Sequence, residues 1–436
     1  MHQILDAREH RVARQKELLE QYQKTLICFT MNIAGPVKHT ELIARGFRLG
    51  CKLLMAQFHG EGVPILHFEP REEETGCQAF CVVDCPSARA KALCVQIEEE
   101  MPVGRLFDMD VLSPDGRKEE RSTPRRCLLC DQPAQVCGRS RAHSVEDLQH
   151  RTNELLQEAV IAQDAREIAR IAQQSLLYEV CTTPKPGLVD CQNSGSHPDM
   201  DIFTFMSSSA ALFPYFETCA RIGLESAELP APEVFTRLRL PGKLAEQAMR
   251  QATGGVNTHK GAIFSLGILC AAAGRLPQLQ RTPEAVCGQC AAMTKGITTN
   301  DFAGITPENA VTAGQKLYAK YGITGVRGQA EAGFPAVLEA GIPTLKAGLQ
   351  KGLSLNDAGC AALLHLMVAV TDTNLIKRSD LQTQKAVTEQ ISHLLQETPF
   401  PQREVLETLD ADFIRQNLSP GGTADLLAIT YFLLFL

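Results

Sequence analysis

Hydrophobic positions change their period repeatedly in the first third of the chain and settle to a helical period afterwards. Charged residues dominate MHQILDAREHRVARQKELLEQYQ, with Leu18 and Leu19 near its end, and the apolar run Thr25 to Asn32 follows; a helix and then a strand are predicted. Gly35-Pro36 should end that strand in a turn. From Thr40 to Leu54 apolar residues recur at helical spacing, QAFCVVD predicts a strand, and Arg89 to Glu100 predicts a further helix. In GRLFDMDVL (104–112), Phe107, Met109 and Val111 alternate with Asp108 and Asp110. Successive strand side chains point to opposite faces, so this period of two sends three apolar groups into a core and sets both carboxylates on one other face.

From Ser144 to Glu179 apolar residues recur at helical intervals with no glycine or proline, which predicts one or two long helices. Ser144 with Asp147 three residues on resembles a capping signal, and a domain boundary is expected near residue 150. Beyond it, Ile202 to Ile222, Lys243 to Gln251, Ala262 to Ala273, Pro283 to Thr294, Asn309 to Tyr318 and Leu355 to Val370 all read as helices. Alternating patterns almost vanish, and Ala358 to Val370 is apolar on most faces, so an all-α domain around hydrophobic central helices is predicted. Function there falls to helix ends and loops.

Composition supports a folded chain: of 436 residues, 44% are hydrophobic and 21% charged, with a net charge of −7. That balance argues against nucleic acid as a partner and leaves small anions or a protein. The 16 cysteines are scattered without a regular framework, as expected of reduced thiols in the cytoplasm. The start lacks the apolar core of a signal peptide, and the terminal LLAITYFLLFL is too short for a span of roughly 20 apolar residues. No membrane partner is expected.

Paired aspartates such as Asp108 and Asp110 can bracket Mg²⁺, a hard cation that also holds phosphates, although from D-x-D alone an exposed acidic strand face is the simpler reading. Arg117, Lys118, Arg121, Arg125, Arg126, Arg139 and Arg141 then crowd a short interval. Guanidinium forks bind phosphate oxygens in pairs, and a solvated basic loop is the alternative. Cys127, Cys130 and Cys137, with His143 beyond, offer zinc-ligand types; with no second CxxC, partly buried reduced thiols are preferred.

Four polar interruptions stand out in the helical region. TTPKPGLVDCQNSGSHPDMD carries Lys185, Asp190, His197, Asp199 and Asp201, where Asp199 and Asp201 suit either a helix start or metal and phosphate chemistry. GGVNTHKGAIFSLG (254–267) sets Asn257, Thr258, His259 and Lys260 before a buried helix; Asn257 or Thr258 is expected to cap it, and its first amides with Lys260 could face a phosphate. In ITGVRGQAEAGFPAV, Gly325 and Gly328 flank Arg327, and in TDTNLIKR, Asp372 and Asn374 interrupt an apolar helix before Lys377 and Arg378. Each also reads as a plain turn or helix end. Gly421 and Gly422 precede Asp425 and a last buried helix.

TMNIAGPVK, GRLFDMDVL, RRCLLC and GRSRAHS, in this order, resemble the phosphoribosyl-dephospho-CoA transferase family that loads the acyl carrier protein of citrate lyase. That resemblance covers roughly residues 1–150. It implies attack of a carrier serine on the α-phosphate of a triphosphoribosyl-dephospho-CoA, with Asp108 and Asp110 holding Mg²⁺ and Arg105, Arg125, Arg126, Arg139 and Arg141 receiving pyrophosphate. TPKPGLVD, GSHPDMD, GVNTHKGAIFSLG, DTNL and SPGGTADLL, spread over residues 176–436, are similar to the triphosphoribosyl-dephospho-CoA synthase family. This second likeness implies that ATP and 3'-dephospho-CoA are joined with loss of adenine. A carboxylate among Asp199, Asp201 and Asp372 would stabilise the ribosyl centre, Asp201 and Asp372 would hold Mg²⁺, and Lys185, Asn257, His259, Lys260, Arg327, Asn374, Lys377 and Arg378 would bind the substrates. Two departures from that family's pattern are Ser379 and Asp380 after Arg378, where glycines are common, and Gln329 in place of a glutamate, with Glu331 close by.

The expected architecture is therefore multidomain: an N-terminal α+β, nucleotidyltransferase-like domain (1–150) followed by an all-α C-terminal domain (151–436). The expected function is synthesis of the citrate lyase prosthetic-group precursor and its transfer to the carrier. The alternatives are the equivalent pathway for malonate decarboxylase and a non-catalytic scaffold for a CoA derivative and carrier protein.

Overall fold

The structure, a computed structural model, describes residues 2–130 and 132–436, with side chains from residue 9 onward. The chain divides into two compact units, Met1–Ala162 and Gln163–Leu436. The first contains α1 (His2–Tyr22), β1 (Thr25–Met31), α2 (Glu41–Gly60), β2 (Ile65–Glu73), β3 (Gly76–Val83), α3 (Ser87–Glu100), β4 (Phe107–Leu112), α4 (Ala134–Ser140) and the start of α5 (Val145–Cys181). Ser144 caps α5 by accepting from the Asp147 amide at 3.0 Å, as the spacing predicts, and the division of the chain falls inside this 37-residue helix.

The four strands form an antiparallel sheet in the order β2-β3-β1-β4. One face, with Ile27, Phe29, Ala79, Cys81, Met109 and Val111, packs with α2, α3 and Leu155, Leu156 and Ala159 of α5. The other packs Leu26, Cys28, Phe80 and Val82 against Leu18 and Leu19 of α1. Edge strand β2 carries Pro70 and four charged residues and has no apolar alternation for a sequence reading to find.

The opposite edge, β4, buries every second residue, as its alternation predicts. Its outward peptide group at Met109 is closed by α3: Lys91 donates to the Met109 carbonyl (2.8 Å), and the Met109 amide donates to Glu98 (2.8 Å). Both side chains are buried at positions of α3 that face the sheet. An edge strand is thus sealed by a buried cation and anion, each of which bonds one of its backbone groups.

The second unit continues α5 and adds α6 (Ile202–Glu225), α7 (Ala231–Ala252), α8 (Lys260–Gly274), α9 (Pro283–Thr294), α10 (Ile297–Asp301), α11 (Ala313–Tyr321), α12 (Gly325–Glu331), α13 (Ile342–Gln350), α14 (Leu355–Ala369), α15 (Thr373–Arg378), α16 (Leu381–Glu397), α17 (Arg403–Arg415) and α18 (Gly421–Phe435). Among its described residues there is no strand. Helices α8, α14 and α18 are buried on nearly all sides and form the centre. Helices α6 and α8 cross at Gly223 and Gly274, where a side-chain carbon on either would meet the other's backbone. Helix α11 starts later than its apolar spacing predicts, because Thr312 and Gln315 form a reciprocal cap there. Among the described residues no helix is long and apolar enough to cross a membrane.

Candidate functional site

Helix ends of the second unit enclose a cavity of about 820 Å³, lined from α5, α8, α12, α14, α15, α18 and the loops before them. Its wall mixes the cations Lys185, Lys260, Lys377 and Arg378 with the acids Glu179, Asp199, Asp372 and Asp425. Central helices dictate this placement: their apolar bodies are consumed by the core, so their polar ends meet where the packing stops.

Asp372 organises two of those ends. Its Oδ1 accepts from the Asn374 and Leu375 amides (2.8 and 3.1 Å), and its Oδ2 from the amide and hydroxyl of Thr423 (2.7 and 2.8 Å). One buried carboxylate therefore caps α15 and tethers the first turn of α18. Burial raises its pKa above the usual carboxylate value against the pull of these donors. Glu179 is likewise raised by burial, against the pull of Lys185. The buried Lys185 ammonium donates to the Glu179 carboxylate and to its carbonyl, the latter at 2.7 Å.

Asp425 sits differently. Its carboxyl lies against Gly261 in the first turn of α8, where an added Cβ would overlap its Oδ2 and stand 3.0 Å from its Cγ. Burial foremost, then the charges of Glu179 and Asp372, push Asp425 well above the ordinary carboxylate range; the Ala262 amide pulls the other way. A half-buried acid beside two buried ones, with few donors of its own, suits proton transfer or a cation.

Two histidines are held neutral. Arg378 donates to the Ser196 carbonyl (2.9 Å), Asn417 Oδ1 (2.8 Å) and His197 Nδ1 (2.9 Å), while His197 Nε2 meets the Ser419 hydroxyl at 2.8 Å. A guanidinium only donates, so His197 accepts at Nδ1 and carries its proton on Nε2. Burial and then Arg378 lower its pKa to about 4. Ser208 accepts from Thr258 (2.8 Å) and stands 2.7 Å from His259 Nδ1. His259 Nε2 has no partner in the cavity wall, and the tautomer in which the serine proton goes to Nδ1 makes it an Nε2–H donor. Burial lowers the His259 pKa to about 3.

The sequence reading placed the start of α8 one or two residues too early. His259, not Asn257 or Thr258, is the capping position, without a side-chain bond to the helix, because Thr258 is drawn to Ser208 and His259 to the same hydroxyl. Lys185, Asp199, Asn257, His259, Lys260, Asp372, Asn374, Lys377 and Arg378 all line the cavity. Lys260 also pairs with Glu246 at 3.0 Å. Asp201 and Arg327 lie outside its wall. Asp201 caps α6 in a reciprocal box with Thr204, and Arg327 pairs with Asp301 at 2.8 Å over the rings of Phe264 and Phe302. Beside it, Gly325, Val326, Gly328 and Gln329 do line the cavity, and Gln329 Oε1 is buried without a partner. Glu331 instead accepts from the Gly296 and Thr298 amides, and Asp380 caps α16. Glu179 was missed by sequence reasoning, being one acid among many in a long helix.

In the first unit, Asp108 and Asp110 share the α1 face of β4, opposite Thr30 and Cys28 of β1. Asp108 is 3.4 Å from Arg125 and Asp110 is 2.7 Å from Lys118. Arg125 and Arg121 also pair with the buried Glu98, at 3.0 and 2.9 Å. Arg105 donates to the Cys127 carbonyl, while Arg126, Arg139 and Arg141 are exposed. Arg125 is thus brought to Asp108 and Lys118 to Asp110.

Residues 1–159 match the CitX family, apo-citrate lyase phosphoribosyl-dephospho-CoA transferase, and residues 165–436 match the CitG family, ATP:dephospho-CoA triphosphoribosyl transferase. Protein CitXG of Haemophilus influenzae is 35% identical, covering 99% of this chain and 95% of its own length. Protein CitXG of Leuconostoc mesenteroides subsp. cremoris is also 35% identical, over 99% of this chain and 96% of its own. The 2-(5''-triphosphoribosyl)-3'-dephosphocoenzyme-A synthase of Escherichia fergusonii is 39% identical over 62% of this chain and 90% of its own.

Proposed function

Because the chain belongs to the family of the CitXG proteins, with a CitX and a CitG part in one polypeptide, we propose that each compact unit performs one of two consecutive transfers. The protein is a bifunctional transferase of citrate lyase prosthetic-group synthesis. It joins ATP to 3'-dephospho-CoA with release of adenine, and transfers the phosphoribosyl-dephospho-CoA group of that product to a serine of the citrate lyase acyl carrier protein with release of pyrophosphate.

The observation that carries the assignment of the first step to the second unit is the cavity, where four cations meet the buried acids Glu179 and Asp372 and the half-buried Asp425. Lys260, Lys377 and Arg378 suit the triphosphate that the reaction preserves. The neutral His259 offers its unpartnered Nε2–H to a phosphate or ribose oxygen. Asp425, with its raised affinity for a proton, takes the proton of the attacking 2'-hydroxyl, while the negative charge around Glu179 and Asp425 favours the oxocarbenium-like ribosyl centre. Asp372 holds the wall that presents them, since all four of its hydrogen bonds are already to the protein.

Oxygen donors fit Mg²⁺ at Asp425 and Asp199 better than at the saturated Asp372. In the first unit, Asp108 and Asp110 offer a second oxygen pair on a nucleotidyltransferase-like sheet edge. Bound there, Mg²⁺ would relieve the charge of the phosphates. Arg125 and Lys118 hold the two carboxylates in place and stand ready for the pyrophosphate.

Incubating the chain with ATP, dephospho-CoA and Mg²⁺, then adding apo-carrier, tests both steps: free adenine and a modified carrier are expected. Neither product, or modification only of a malonate decarboxylase carrier, overturns the assignment.

A further inference from the structure

The segment between β4 and α5 holds a cluster that neither transfer uses. Cys127, Cys130, Cys137 and His143 present four ligand atoms that all lie within 4.8 Å of one another. Cys130 Sγ is 3.5 Å from Cys137 Sγ and 3.3 Å from His143 Nε2. A tetrahedral zinc with Zn–S near 2.3 Å and Zn–N near 2.0 Å sets its ligand atoms about 3.5 to 3.8 Å apart, so the cluster is already close to that size.

The backbone builds this arrangement locally. Arg126 and Pro133 form an isolated bridge, with the Cys127 amide donating to Gln132 and the Ala134 amide to Arg125, each at 2.8 Å. This hairpin carries Cys127 and Cys130 at its tip, and the Leu129 and Cys130 amides donate to the Cys127 sulfur. Helix α4 follows at once and places Cys137 in its second turn. Arg141 ends the helix in the left-handed region (φ 50°, ψ 44°), and the Ala142 amide returns to the Cys137 carbonyl at 3.1 Å. That reversal brings His143 back over the sulfurs. The spacing is C-x2-C-x6-C-x5-H, so the second ligand pair comes from a helix and its cap, and no second CxxC is needed.

We propose that Cys127, Cys130, Cys137 and His143 bind one zinc ion in a closed, structural site. Three thiolates and an imidazole select a borderline-soft cation over Mg²⁺. Binding displaces one proton from each thiol and needs no oxidant, since zinc does not change its redox state. Four protein ligands leave no open position for chemistry. The cross-link ties down the segment that brings Arg121 and Arg125 to Glu98 and Asp108, and it fixes the Cys127 carbonyl that receives Arg105.

The full chain, purified from zinc-replete cells and dialysed against chelator, should retain about one zinc per molecule by elemental mass spectrometry. Cys137→Ser and His143→Ala should each retain less than about a tenth of that, while His143→Cys, which restores four ligands, retains the metal. Circular dichroism and the urea transition of the first unit, which holds the cluster, report whether each variant is folded. Wild type decides the matter independently of variants. Cobalt substitution should give the intense visible bands of a tetrahedral thiolate centre. A metal-free wild type with all three thiols open to reagent, or a Cys130–Cys137 disulfide in the unreduced mass, overturns the proposal.

Discussion

Replacing Gly261 with alanine separates the helical role of that position from its place beside Asp425. Helix propensity alone favours Gly261→Ala by up to about 1 kcal/mol, and less at the second residue of a helix. The new Cβ would overlap Asp425 Oδ2 and stand 3.0 Å from its Cγ. Restoring ordinary contact near 3.5 Å requires Oδ2 to retreat by roughly 1.5 Å and Cγ by about 0.5 Å. The obstacle is the end of a short side chain, so rotation about χ1 relieves it at modest cost, and the two stability effects nearly cancel. Function has no such compensation: a misplacement of about 1 Å costs on the order of a hundredfold, or about 2.7 kcal/mol in the barrier. The urea midpoint should therefore stay close to wild type while adenine release falls about a hundredfold. Carrier modification with preformed precursor should be unchanged. Adenine release within about threefold of wild type, in a variant of normal stability, would show that Asp425 need not hold this position.

Other outcomes follow from the same geometry. Asp425 is raised in the folded chain, so its contribution to stability is present below the ordinary carboxylate value and is lost as pH rises through the folded value. Asp425→Asn should accordingly raise the urea midpoint more at pH 8 than at pH 5 while abolishing adenine release; an equal shift at both contradicts this. His197 and His259, lowered to about 4 and about 3, contribute stability above the ordinary histidine value of 6.5 that is lost as pH falls toward the folded values. His259→Gln should flatten the fall in urea midpoint between pH 7 and 5, and an unchanged slope would refute the neutral assignment. Asp108→Asn should block carrier modification and spare adenine release, and Lys260→Ala should do the reverse. Parallel loss of both steps in either folded variant would contradict the division of labour.

The alternating carboxylates of β4 were legible because one face of that strand is core and the other is not, a difference that sequence periodicity records directly. Strand β2 left no such record: with Pro70 and its charges it holds an edge through Arg14–Glu69 and Arg48–Glu72 pairs rather than by burying a face. The polar interruptions of the helical unit were legible as places, less so as roles. Asp201 and Asp372 both cap helices, and only the arrival of Thr423 from a distant segment makes one a structural node of the cavity. Arg327 reads as a ligand-facing group until Asp301 claims it. Lys91, Glu98 and Glu179 were hidden because a charge on a buried helix face looks like an error in periodicity until its partner is known.

The sharing of one cavity by Glu179, Asp372 and Asp425 has a further consequence. Without a substrate these acids are partly kept from water and set against one another, so the empty second unit carries a standing destabilisation. A cation or nucleotide that binds only the folded chain offsets that burden by an amount that grows with the logarithm of its concentration. The lifetime of the protein is thereby linked to its substrates: a cell poor in them holds the same polypeptide in a form that opens more often.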